Sequence, residues 1–74
     1  MKEEIHIGKL IQAKMEAEGR SVTWLAKQLN CYRSNVYKIY QKQTIDMDLL
    51  LRISKILKTD FFNYYSDILH TDIK

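Results

Sequence analysis

The 74-residue chain has no proline, one cysteine, two glycines and two histidines, and each shortage removes a class of protein. Cys31 has no second thiol to pair with, so a disulfide-stapled scaffold is excluded. One cysteine and two histidines also fall short of the ligand set of a structural zinc site, and neither a metal nor another cofactor is expected. No apolar run approaches the roughly 18 residues of a membrane span, so no membrane partner is expected. The start, Met1-Lys2-Glu3-Glu4, is acidic and is followed by no apolar stretch of the kind a secretory signal needs. A lone thiol and no signal point to the cytoplasm. There is no internal repeat or low-complexity linker, and the length suits one domain, expected over residues 1–69 with 70–74 as a frayed tail. A chain this short buries only about 60% of the surface exposed when unfolded, so its core must be well packed.

What the chain does have is uneven charge. The formal net charge is +3, a modest value if it were evenly spread. Residues 1–18 hold three lysines against four glutamates, and residues 44–74 hold four basic residues against five aspartates. Between Glu18 and Asp46 lie Arg20, Lys27, Arg33, Lys38 and Lys42 with no acid at all. On charge alone, a polyanionic partner and a merely solvated face account for this stretch equally well.

Apolar spacing predicts five helical segments and no strand. The first is expected from about Ile5 to Glu18, with Ile7, Leu10, Ile11 and Met15 on one face and Gly19 as its stop. Gly8 within its first turns costs up to about 1 kcal/mol in helix propensity. Ser21 is a good cap for a second segment, Val22 to Leu29, which Asn30 ends by tolerating the left-handed conformation. The third runs from Tyr32 to about Gln41 on Val36, Ile39 and Tyr40. Asp46 caps the fourth, with Ile45 stapled onto Leu50 and a stripe of Leu49, Leu50, Ile53, Ile56 and Leu57. Thr59 or Asp60 caps a short fifth built on Phe61, Tyr64 and Tyr65, and order is expected to fade after about Leu69.

Two short helices joined by a tight turn, the second lying in the acid-free basic run, make a helix-turn-helix. Ala26 is small where the pair approaches, and Asn30 turns the chain. Leu25, Leu29, Cys31, Val36 and Ile39 anchor the pair on Ile11, Leu50 and Ile53, which leaves Arg33, Ser34, Tyr37 and Lys38 facing outward.

These residues also carry a resemblance. Ser21-Val22-Thr23-Trp24-Leu25-Ala26, followed by Leu29-Asn30-Cys31-Tyr32-Arg33-Ser34-Asn35-Val36-Tyr37-Lys38-Ile39, resembles the S-x-x-x-L-A, L-G-V-S-x-x-x-I-x-x-I pattern of Cro/λ-repressor-type (XRE) domains. Asp48 to Leu57 is similar to that family's fourth helix, and Phe61, Tyr64 and Tyr65 to its fifth, so the likeness spans about residues 5–66. It implies an all-α, compact five-helix bundle of the λ-repressor-like type, binding double-stranded DNA with the third helix, about residues 32–41, in the major groove. It further implies a small bacterial or phage transcriptional regulator, cytosolic and nucleoid-associated when bound. Carried over by position, Arg33, Ser34 and Lys38 face base edges, where an arginine fork can donate twice to guanine. Tyr32, Asn35, Tyr37, Gln41, Lys42 and Gln43 fall at phosphate-contacting positions, and the start of the second helix at Val22 and Thr23 aims backbone N–H groups at a phosphate. Val22 stands where the family often has glutamine, Tyr32 replaces the usual Ser or Thr cap, and Asn30 replaces glycine.

Other features admit plainer readings. Trp24 is expected to cover the first helix, and Cys31 to act as a small buried hydrophobe. Phe61, Phe62, Tyr64 and Tyr65 exceed what one short helix can bury, so Phe62, Tyr64 and Tyr65 form a possible homodimer or partner surface. Catalysis is not expected: His6 and His70 lie near opposite ends, and no acid stands between Glu18 and Asp46 to orient a base. The competing function is a protein-interaction module of the same fold, antitoxin-like or an accessory subunit, with weak or no DNA binding.

Overall fold

The computed structural model describes residues 4–73; Met1 to Glu3 and Lys74, which enter the charge count, the start and the tail above, lie outside it. Among the described residues there are five helices and no strand: α1 Ile7–Ala17, α2 Val22–Leu29, α3 Arg33–Gln41, α4 Met47–Leu57 and α5 Asn63–Asp72. The periodicity had implied this all-α order.

The caps explain the boundaries. Ser21 Oγ accepts from Trp24 N–H at 3.0 Å and Asp46 Oδ1 from Leu49 N–H at 2.8 Å, so both expected caps are in place. Gly19, at φ +67°, lets Arg20 N–H reach back to Met15 O at 2.9 Å and close α1. Asn30 takes the left-handed conformation at φ 56°, ψ 51°. α1 begins at Ile7 rather than at Ile5, because His6 is extended and its Nδ1 accepts from Lys9 N–H at 3.1 Å. α3 likewise begins at Arg33, with Tyr32 extended before it and making no cap hydrogen bond from its side chain. Neither Thr59 nor Asp60 caps α5. The Thr59 hydroxyl turns back to Leu57 O at 3.0 Å, the Asp60 carbonyl accepts from Asn63 N–H at 3.3 Å, and Phe62 precedes the helix with no side-chain cap. α5 then continues to Asp72, past the Leu69 at which its apolar pattern fades.

One core joins the elements. Ile7, Ile11 and Met15 of α1 meet Leu25, Ala26 and Leu29 of α2, Val36, Ile39 and Tyr40 of α3, Leu50, Ile53 and Leu57 of α4, and Phe61 from the turn before α5. Each large side chain fully withdrawn from water contributes about 1.5–3 kcal/mol against the entropy of ordering the chain. Ile45, Trp24 and Cys31 pack half-buried against this core. α5 buries none of its own residues; it is held through Phe61, whose ring stacks on Tyr64 with centroids 6.4 Å apart.

A second junction needs no side chains. The first amides of α1 are donated across the molecule, Ile7 N–H to Gln43 O at 2.9 Å and Gly8 N–H to Lys42 O at 3.0 Å. These are donors that a helix start leaves without internal partners, and here the chain leaving α3 supplies the carbonyls. The close approach requires glycine, because a Cβ at position 8 would run into the backbone carbonyls of Ile39 and Tyr40.

Within α4, Ser54 is 9% exposed and its hydroxyl has no hydrogen-bond partner among the described residues. Replacing it removes an unsatisfied buried group and improves helix propensity. Ser54→Ala is therefore expected to raise the unfolding free energy by about 1–2 kcal/mol, read as a higher urea midpoint at unchanged slope. A lower midpoint would show that the hydroxyl is paired in solution.

Candidate nucleic-acid interface

The packing of α3 sets out the later part of the acid-free stretch, Arg33 to Gln41, along one helix. Val36, Ile39 and Tyr40 fix its inner side on the core. Arg33, Ser34, Tyr37, Lys38 and Gln41 then share the opposite side at 3.6 residues per turn, and all five are exposed. α3 is gripped from two directions, by α1 and by its helix-turn-helix partner α2. The turn is closed by Cys31 N–H donating to Ala26 O at 2.9 Å, directly after left-handed Asn30.

The sequence-derived site residues take up different places. Arg33, Ser34, Asn35, Tyr37, Lys38 and Gln41 are exposed along α3, and Lys42 and Gln43 follow on the exposed loop with their carbonyls committed to α1. Tyr32 is 81% exposed just before the helix. Thr23 is exposed, whereas Val22 is half-buried against the core, so its side chain is spent on packing. The amides of Val22 and Thr23, at the start of α2, have no hydrogen-bond partner among the described residues. Phe62, Tyr64 and Tyr65 lie apart from this surface in sequence and element, at α5; Phe62 is half-buried, while the tyrosines are 42% and 39% exposed.

Electrostatically the surface is unopposed. The ion pair present among the described residues joins Lys14 to Glu18 at 3.1 Å, on α1. Arg20, Lys27, Arg33, Lys38 and Lys42 are all exposed and enter no such pair. Cations without carboxylate partners remain available to an anionic ligand. Burial pushes the Tyr40 hydroxyl above the ordinary tyrosine value of 10.0, with Glu16 and then Tyr37 adding to the effect. Tyr40 thus stays neutral, and its ring meets that of Tyr37 edge-on, with centroids 6.4 Å apart and planes at 87°.

Three supporting contacts escaped the sequence reading. Arg52 of α4 donates from Nη2 to Leu29 O at 3.1 Å, tying α4 to the last turn of α2. Arg52 stands among Leu49, Leu50, Leu51 and Ile53, and that was the available signal. The Arg20 guanidinium lies 4.4 Å from the centre of the Trp24 ring, and the spacing of four residues was visible beforehand. The Gly8 approach left no signal beyond an unfavourable glycine. Among the described residues no three His, Cys, Asp or Glu side chains stand together as metal ligands, and no helix is long and apolar enough to cross a membrane.

A family model for the Cro/C1-type HTH DNA-binding domain matches residues 11–62. That span takes in most of α1, both helices of the turn, α4 and the Phe61 that anchors α5. No curated protein and no solved structure gives a significant match. With the match covering well over half the chain, and five helices arranged around a tight α2–α3 turn, the protein is a member of the Cro/C1-type HTH DNA-binding domain family.

Proposed function

We propose that the chain is a sequence-specific binder of double-stranded DNA and acts as a small cytosolic transcriptional regulator of bacterial or phage type. The observation that carries this reading is the exposed, cationic outer side of α3, whose inner side is locked into the core. In this reading α3 enters the major groove. Arg33, Ser34 and Lys38 reach base edges, and Arg33 has the fork to take guanine O6 and N7 together. Tyr32, Asn35, Tyr37, Gln41, Lys42 and Gln43 hold the flanking phosphates, with the Thr23 and Val22 amides at the start of α2. Regulation follows from occupancy of a site and needs no turnover. Residues 1–69 would form the working domain, with 70–74 dispensable to it.

The α5 surface supports a second copy on DNA. Tyr64 and Tyr65 are each more than a third exposed, and Phe62 is half-buried. Two copies related by a two-fold axis would span two half-sites.

Fluorescence anisotropy of a labelled mixed-sequence duplex, titrated across a salt series, tests the reading. Binding is expected to weaken steeply as salt rises, because each neutralised phosphate releases counterions. Sedimentation of the same mixture is expected to show two chains per duplex; one chain would sink the second copy and leave DNA binding intact. Absence of binding even at low salt would overturn the DNA reading. The α5 and Trp24 surfaces would then favour the protein-interaction module.

A further inference from the structure

The outer side of α3 is not uniformly polar. Tyr32, 81% exposed, and Tyr37, 54% exposed, flank Arg33 and Ser34, and the four side chains line one open recess at the start of the helix. One of the two rings is held by the core. Tyr37 rests edge-on against Tyr40, which is only 9% exposed and belongs to the core. Tyr32 is in the position that commonly caps a helix, yet its side chain makes no cap bond, which leaves its ring to form the recess wall.

Phosphate contact uses a tyrosine hydroxyl but gives the exposed ring no partner. An aromatic ring left in water forfeits the burial that favours it. In the major groove, most of what a base pair presents is polar, a donor or an acceptor. The exception is the C5-methyl group of thymine. We propose that the recess formed by Tyr32, Arg33, Ser34 and Tyr37 receives the C5-methyl of a thymine lying next to the guanine read by Arg33. The rings supply apolar cover, and the hydroxyls remain free for phosphate. This rests on the DNA-binding reading above and adds to it a specific base preference and the two residues that impose it.

The test starts from duplexes selected by the wild-type chain from a random pool. Each thymine of the selected site is replaced in turn by deoxyuridine, which deletes the methyl and leaves every hydrogen-bonding group in place. At one thymine adjacent to a guanine, affinity is expected to fall about fourfold, the value of burying one methyl-sized group. Tyr37→Ala and Tyr32→Ala should bring that thymine-to-uracil ratio toward one. The Tyr32 ring is largely exposed, so its variant should fold normally, and loss of the ratio there is not a folding effect.

A ratio of one at every position in the wild type would overturn the inference while specific binding upheld DNA recognition. Selected sites without a thymine beside a guanine would do the same. Tyrosine-dependent preference for single strands would mean that the rings stack on unpaired bases, and would also overturn it. Failure to bind any DNA would remove both readings together.

Discussion

Gly8→Ala is expected to lower the unfolding free energy by about 3 kcal/mol. An alanine in a helix interior usually stabilises relative to glycine by about 0.5–1 kcal/mol, so the expected sign is the reverse of what propensity gives. The cause is the seat of α1 on the end of α3. The added Cβ would overlap the carbonyls of Ile39 and Tyr40, and backbone atoms cannot rotate aside as a side chain would. Relief requires α1 to withdraw, which breaks the bonds from Ile7 and Gly8 to Gln43 and Lys42. A domain of this length has a total stability of roughly 4–11 kcal/mol, so the variant loses a large share. Its Tm should fall by roughly 12–24 °C, followed by circular dichroism. A stability equal to or above wild type would show that the two helices do not meet this closely.

On the DNA side, Arg33→Ala is expected to cost about 1–3 kcal/mol for the preferred identity of one base pair, and little on sequences already lacking it. Lys42→Ala should weaken all sequences alike and reduce the slope of log affinity against log salt by about one. The contrast follows from position. Arg33 opens α3 on its outer side, whereas Lys42 lies just beyond the helix, with its carbonyl occupied by Gly8 and its side chain exposed. Both side chains are exposed, so unchanged urea midpoints serve as the control. A uniform loss for Arg33→Ala across all duplexes would make it a phosphate contact and move base reading elsewhere on α3.

Features with a local mechanism were readable in the amino-acid sequence. Asp46 and Ser21 cap because their short acceptors reach an amide three residues ahead. Asn30 turns left-handed because asparagine tolerates that conformation. Lys58 adopts the same conformation at φ 52°, and nothing local announces it. It is set there by the end of α4, where Thr59 N–H reaches Ser54 O at 3.0 Å while Leu57 and Phe61 are held in the core on either side. His6 was hidden as a cap because histidine seldom serves as one. The expected caps of α5 failed because the turn closed by Asn63 N–H on Asp60 O lies between those residues and the helix. For the interface, the acid-free run and the outward spacing from Arg33 to Gln41 were legible. The recess was not, since it depends on Tyr37 being held by Tyr40 and on Tyr32 leaving its ring uncommitted.

The backbone junction between α1 and α3 bears on how such a surface can change over time. Carbonyls at 42 and 43 grip the amides of Ile7 and Gly8 whatever side chains those loop positions carry. The orientation of α3 thus depends on peptide groups and on Val36, Ile39 and Tyr40, none of which lies on its exposed side. Positions 33, 34, 38 and 41 are accordingly free to vary without disturbing how the helix is mounted, whereas Tyr37 meets the core through Tyr40. On the DNA-binding function proposed above, a lineage can exchange those four residues and acquire a new target while inheriting the same scaffold, and an engineer can randomise them on the same terms.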